Sequence, residues 1–118
     1  MKTLIQNGIC VAVASGESKL ITDAQSALDF IMTVKYEARA ECVAVDKNCV
    51  SDDFFILSTG LAGEILQKFI NYRLKVAFFG DFTRYASKPL HDFIYESNNG
   101  RDVFFVATEA EALHRLTG

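Results

Sequence analysis

Proline occurs once in this chain, as Pro89, and glycine seven times. With so few breakers, long flexible linkers are not expected, and 118 residues make one domain. Cysteine is scarce and odd in number: Cys10, Cys42 and Cys49, with no C-x-x-C. That excludes a disulfide framework. Cys10 and Cys42 sit in the apolar runs I-C-V-A-V and C-V-A-V, so they read as buried free thiols of a reducing compartment. Positive charge is not in excess. The net charge is −3 and the pI about 5.3, which argues against nucleic acid and against anionic membrane surfaces. No apolar run reaches the roughly 18 residues that span a bilayer. The opening M-K-T-L-I-Q-N-G lacks the apolar stretch of a signal peptide, so a cytoplasmic location is expected.

Catalytic signatures are missing as well. His91 and His114 fall on expected helices with no Cys or carboxylate at metal-ligand spacing. Neither G-x-S-x-G nor G-x-x-x-x-G-K-[ST] occurs. No metal and no cofactor are expected. The reading leans away from an enzyme, with Asp81 or Asp53 as a base the only catalytic alternative.

What the chain does have is apolar content and clear periodicity. Half of the residues are hydrophobic and 23% are charged, enough to build a core. Asn7-Gly8 between T-L-I-Q and I-C-V-A-V-A signals a type I′ hairpin over 3–6 and 9–14. Thr22-Asp23-Ala24-Gln25 reads as a capping box with Thr22 at the N-cap, opening a helix over 23–37. C-V-A-V at 42–45 is a strand ending at Asp46. A helix is expected from Ser51 through 71, its stripe formed by Phe54, Leu57, Leu61, Ile65, Leu66, Phe69 and Ile70, with Glu64 and Lys68 paired on the other side. Residues 74–79 form a strand ended by Gly80-Asp81. Ser87-Lys88-Pro89 starts a helix that Asn99-Gly100 ends. Residues 103–106 are the last strand, and Thr108-Glu109-Ala110-Glu111 caps the last helix. The expected fold is α/β: a β-hairpin leading into a mostly parallel five-stranded sheet flanked by about four helices, in the order ββαβαβαβα, with right-handed crossovers.

In such a sheet, ligands favour the edge where parallel strands end. The polar residues expected there include Ser15, Asp46, Asp52, Asp53, Asp81, Thr83, Arg84, Ser87 and Thr108. Thr22, Ser51, Ser87 and Thr108 read as plain N-caps. Asp52-Asp53 complements a helix dipole. Two stretches stand out. In F-G-D-F-T-R-Y-A-S-K, the candidate binding residues are Asp81, Arg84, Tyr85 and Lys88. In L-S-T-G-L-A-G, Ser58 and Thr59 are candidate phospho-acceptors. The plainer reading of that second stretch is that Gly60 and Gly63 let the helix press closely on the sheet.

The run S-D-D-F-F-I-L-S-T-G-L-A-G-E-I-L-Q-K-F-I-N-Y, with K-V-A-F-F-G-D-F-T-R-Y-A-S-K-P-L-H-D-F-I-Y-E-S-N-N-G and L-I-T-D-A-Q-S-A-L-D, resembles the bacterial family catalogued as domain of unknown function 4180. The order of elements is similar to the STAS domain of sulfate transporters and anti-sigma-factor antagonists. There, a D-S-[ST]-G motif opens the helix after a strand ending in Asp, and its Ser is phosphorylated by a partner kinase. Here Asp46 ends the strand and Ser58-Thr59-Gly60 supplies the motif, with Leu57 in place of its Asp. The resemblance implies a regulatory, protein-binding module with a phospho-switch at Ser58 or Thr59. The residues alone also support a small-ligand or anion site using Arg84 and Lys88. Another protein is the expected partner. Phe-Phe pairs at 54–55, 78–79 and 104–105 leave a homodimer open, although they also suit strands covered on both faces.

Overall fold

The computed structural model describes residues 1–118. Strands β1 (Lys2–Gln6), β2 (Ile9–Ala14), β3 (Cys42–Asp46), β4 (Lys75–Phe79) and β5 (Val103–Val106) form one sheet in the order β1-β2-β3-β4-β5. β1 and β2 are antiparallel, and β2 through β5 run parallel. Asn7 and Gly8 both take positive φ, 53° and 79°, as a type I′ turn requires. The expected fold class is the observed one.

Three helices connect the parallel strands, α1 (Ala24–Met32), α2 (Leu61–Asn71) and α3 (Lys88–Asn98), and a fourth, α4 (Glu109–Thr117), follows β5. Alternation decides where each packs. Ala12, Ala14, Val43, Val45, Val76, Phe78, Val103 and Phe105 point to one face, where they meet Ile31 and Val34, Ile65 and Phe69, and Leu90. That face therefore holds α1, α2 and α3. Since the strands follow one another in sequence, the three crossovers share one hand. Val11, Val13, Cys42, Ala44, Ala77, Phe79 and Phe104 point to the other face, which α4 covers with Ala112 and Leu116. The Phe-Phe pairs of β4 and β5 send one ring to each face, as two-sided burial demands. No helix is long and apolar enough to cross a membrane.

Three local expectations are corrected. The N-cap of α1 is Asp23, not Thr22: Asp23 Oδ1 accepts from the Ser26 N–H at 2.8 Å, and the Ser26 hydroxyl accepts from the Asp23 N–H at 3.0 Å. A carboxylate serves the cap as well as a hydroxyl, and Ser26 replaces Gln25 as the returning group. α1 also widens into a π-helical turn at Thr33–Glu37. Glu64 and Lys68 form no ion pair; the three present are Lys2–Glu109, Lys19–Asp52 and Lys88–Asp92.

The largest correction concerns 51–60. In place of a continuous helix there are two 3₁₀ turns, Asp52–Phe55 and Leu57–Thr59, and a break at Gly60 with φ of 77°. Gly60 and Gly63 do not press on the sheet. A Cβ at either would meet nothing within 4 Å, and both are exposed. Gly60 is present for its left-handed backbone. The Thr59 hydroxyl donates to the carbonyls of Ile56 (2.9 Å) and Asp53 (3.1 Å) and accepts from the Leu61 N–H (3.2 Å), locking the turn that leads into α2.

The β5 edge carries a plug. The Asn98 amide donates to Phe105 C=O at 2.9 Å and accepts from Phe105 N–H at 2.7 Å, standing in for a sixth strand. Arg115 donates to the Asn98 carbonyl and lies over the Phe104 ring, 4.4 Å from its centroid. Phe105 is buried, so Asn98→Leu strands two main-chain groups. We expect it to cost about 2 kcal/mol, measurable by urea denaturation; no loss would show that water replaces the amide.

Candidate functional site

The chain leaves β4 for α3 on one face and leaves β5 for α4 on the opposite face. Connections that part in this way open a crevice beyond the carboxyl ends of the two strands. A cleft of about 790 Å³ lies at that place, lined by Gly80, Asp81, Phe82 and Thr83 after β4, by His91, Ile94 and Tyr95 of α3, and by Phe105, Val106, Ala107 and Glu111.

Its wall is the loop after β4, which side chains hold on every side. Asp81 Oδ1 accepts from the Thr83 N–H (3.0 Å) and the Thr83 hydroxyl (2.5 Å), an Asx-turn. These bonds, with Lys47 and Arg84 nearby, hold the Asp81 carboxyl below its ordinary range. Phe82 meets Phe105 edge-on, 5.7 Å between centroids. Tyr85 stacks on Phe55 at 5.2 Å. The Lys47 ammonium lies 5.2 Å from the centroid of the Tyr85 ring. Burial, and next the negative charge of Asp52, pushes the Tyr85 phenol up. His91 Nε2 lies 2.5 Å from the Tyr85 carbonyl oxygen. A carbonyl only accepts, so Nε2 carries the proton and this histidine is committed to the loop.

The candidate residues divide. Asp81 lines the cleft. Tyr85 and Ser58 come together instead across a smaller hollow of about 310 Å³, with Phe55, Leu57, Ser87 and Pro89 among its walls. Arg84 is exposed and in no ion pair. Lys88 turns away to Asp92 at 2.7 Å, and this bond raises its pKa. Arg84 and Lys88 therefore make no joint cationic rim. Of the two hydroxyls, Thr59 is engaged in the turn, while Ser58 is exposed and forms no hydrogen bond.

Sequence reasoning missed the α3 wall and Lys47. His91 and Tyr95 recur at i,i+4 opposite the apolar stripe, a pattern that reads as a solvated face. Lys47 is only 9% exposed, and nothing in D-K-N-C announces a buried lysine. As for the thiols, burial pushes Cys42 up to about 11 and raises Cys49 as well. Both are poor nucleophiles at neutral pH.

No curated protein and no solved structure matches the chain. One family model does, over residues 6–116, a span that takes in nearly the whole sheet and both walls of the cleft. The chain belongs to the family described as Domain of unknown function (DUF4180).

Proposed function

We propose that this protein is a non-enzymatic binding module whose small-molecule ligand enters the crevice beyond β4 and β5. One observation carries the reading: the largest cleft coincides with the place where the connections to α3 and α4 part. Its lining is mostly apolar, with a few polar groups at the rim, the usual make-up of a ligand pocket. The chemistry of the rim supports binding over catalysis. Asp81 has its carboxyl held low by Thr83, which makes it a weak base, and the His91 Nε2–H donates to the Tyr85 carbonyl. In this reading the module works in the bacterial cytoplasm, where Cys10, Cys42 and Cys49 stay free thiols. The hairpin-led order of elements fits a STAS-like regulatory role, with ligand occupancy reported to another protein.

The test is a fragment screen by amide chemical-shift mapping, repeated on Ala107→Trp, which fills the cleft. Ligands of this site shift the amides of Gly80 to Thr83, Ala107 and Glu111 in the natural chain and not in the variant. Shifts that cluster elsewhere, or that survive the tryptophan, overturn the assignment.

A second reading rests on Ser58, an exposed, unbonded hydroxyl one turn ahead of α2. A phosphate there adds about −1.5 to −2 charge close to a helix start, where it would reorganise the hollow shared with Tyr85. Intact mass of protein taken from its own cells tests this. Phosphate on Ser58 supports it, and its repeated absence removes it.

A further inference from the structure

We propose that the free edge of β1 pairs with the β1 of a second copy of this chain, antiparallel, so that two five-stranded sheets continue as one. The two edges of the sheet are unlike. At β5, the Asn98 amide takes both outward main-chain groups of Phe105. At β1 nothing takes them. Cys10 N–H donates to Glu41 Oε2 at 3.0 Å, and Cys10 C=O accepts from Glu41 N–H at 2.9 Å, so both groups of Cys10 face β3. Ile5 lies opposite Cys10. In an antiparallel ladder that makes them a non-hydrogen-bonded pair, with the N–H and C=O of Ile5 aimed away from β2. Thr3, opposite Ala12, is disposed in the same way. Neither residue makes a main-chain bond beyond the hairpin. Such a row is a template for another strand.

A second copy suits this edge because the edge is complementary to itself. With Leu4 opposite Leu4 on a two-fold axis, Thr3 of each chain faces Ile5 of the other, and every such pair exchanges both of its N–H···O bonds. Side chains agree with this register. Ile5, 75% exposed, meets the second copy's Thr3 on the face that carries α1. Leu4, half-buried beside the α4 layer, meets its own equivalent on the other face. Lys2 is the one charge on β1, and it falls opposite Gln6, so no like charges oppose. The assembly also stops at two. An isologous contact consumes both free edges, and the Asn98 plug denies β5 to further copies.

Sedimentation velocity of the full chain over a concentration series tests the proposal. The expected result is a monomer–dimer equilibrium whose upper species has twice the 13.1 kDa chain mass. Ile5→Pro removes only an outward donor and sets a ring on the edge, leaving the β1–β2 bonds in place. Ile5→Lys places like charges beside the axis at an exposed position and serves if the proline variant does not fold. Each should raise the dimer Kd about tenfold or more. The amides of Thr3 and Ile5, slow to exchange in the natural dimer, should exchange fast in Ile5→Lys. A 13.1 kDa species at every concentration up to the solubility limit overturns the proposal. So does a dimer that neither substitution weakens, since it must form through another surface.

Discussion

Replacing Gly80 by alanine is expected to remove about 4 kcal/mol of stability, a large share of the roughly 5–15 kcal/mol that holds a domain of this kind together. Two causes add. Gly80 has φ of 152°, where an L side chain is strained by about 1–3 kcal/mol. Its new Cβ would also stand 2.8 Å from Lys47 Cβ and 3.2 Å from Lys47 Cδ. Lys47 follows β3 directly and is 9% exposed, so its Cβ cannot retreat. Overpacking of this sort costs about 1–3 kcal/mol. The urea midpoint should fall by about 2 M with an unchanged slope. Adding Lys47→Ala removes the Cδ contact and keeps the Cβ one, so most of the loss should persist. A loss for Gly80→Ala below about 1 kcal/mol would show that the β4 loop relaxes freely. That would weaken the picture of a preformed cleft, because Gly80 is where the chain turns off the sheet into the cleft wall.

The same residue shows what a sequence can and cannot disclose. Gly80-Asp81 was legible as the end of β4, because an apolar run stops there. The hairpin was legible through Asn7-Gly8, since few residue pairs tolerate positive φ twice. The strands were legible because burial on both faces demands unbroken apolar runs. The 51–60 segment was not. Phe54, Leu57, Leu61 and Ile65 fall three or four apart, and a pair of 3₁₀ turns followed by a helix satisfies that spacing as well as one helix does. The face taken by α4 was equally hidden. Both faces of β2–β5 are apolar, so the pattern does not say which face a helix must cover. The cleft exists only because α4 takes the face opposite α3, and its lining from α3 could not be named in advance. Asp81 could be placed at a strand end because strand ends could be read; Ser58 and Tyr85 stood out as unusual residues, but the hollow they share follows from tertiary packing.

Phe54→Ala should be about as damaging as Gly80→Ala, costing about 3–5 kcal/mol, although Phe54 belongs to neither a strand nor an α-helix. It has no exposure. Its ring lies 4.9 Å from Phe55, 5.3 Å from Phe78 and 6.3 Å from Phe105. It thus ties the 3₁₀ turn at Asp52–Phe55 to the middle of β4 and β5, and its removal leaves a cavity in the centre of the α1–α3 face. Phe55 is the instructive neighbour. It is also buried, but apart from Phe54 its ring partners are Tyr85 at 5.2 Å and Phe82 at 5.7 Å, both in the loop that walls the cleft. Phe55→Ala should therefore act more locally, releasing residues 81–87 before the rest of the domain. Amide exchange separates the two cases. Phe54→Ala should speed exchange throughout β3, β4 and β5, because it lowers the global unfolding free energy. Phe55→Ala should speed it first in the loop. If Phe54→Ala cost less than about 1.5 kcal/mol, the turn would be a mobile cover and not a fixed part of the core. If Phe55→Ala left the loop's exchange unchanged, the Asx-turn at Asp81 and the His91 bond to Tyr85 would suffice to hold the cleft wall by themselves.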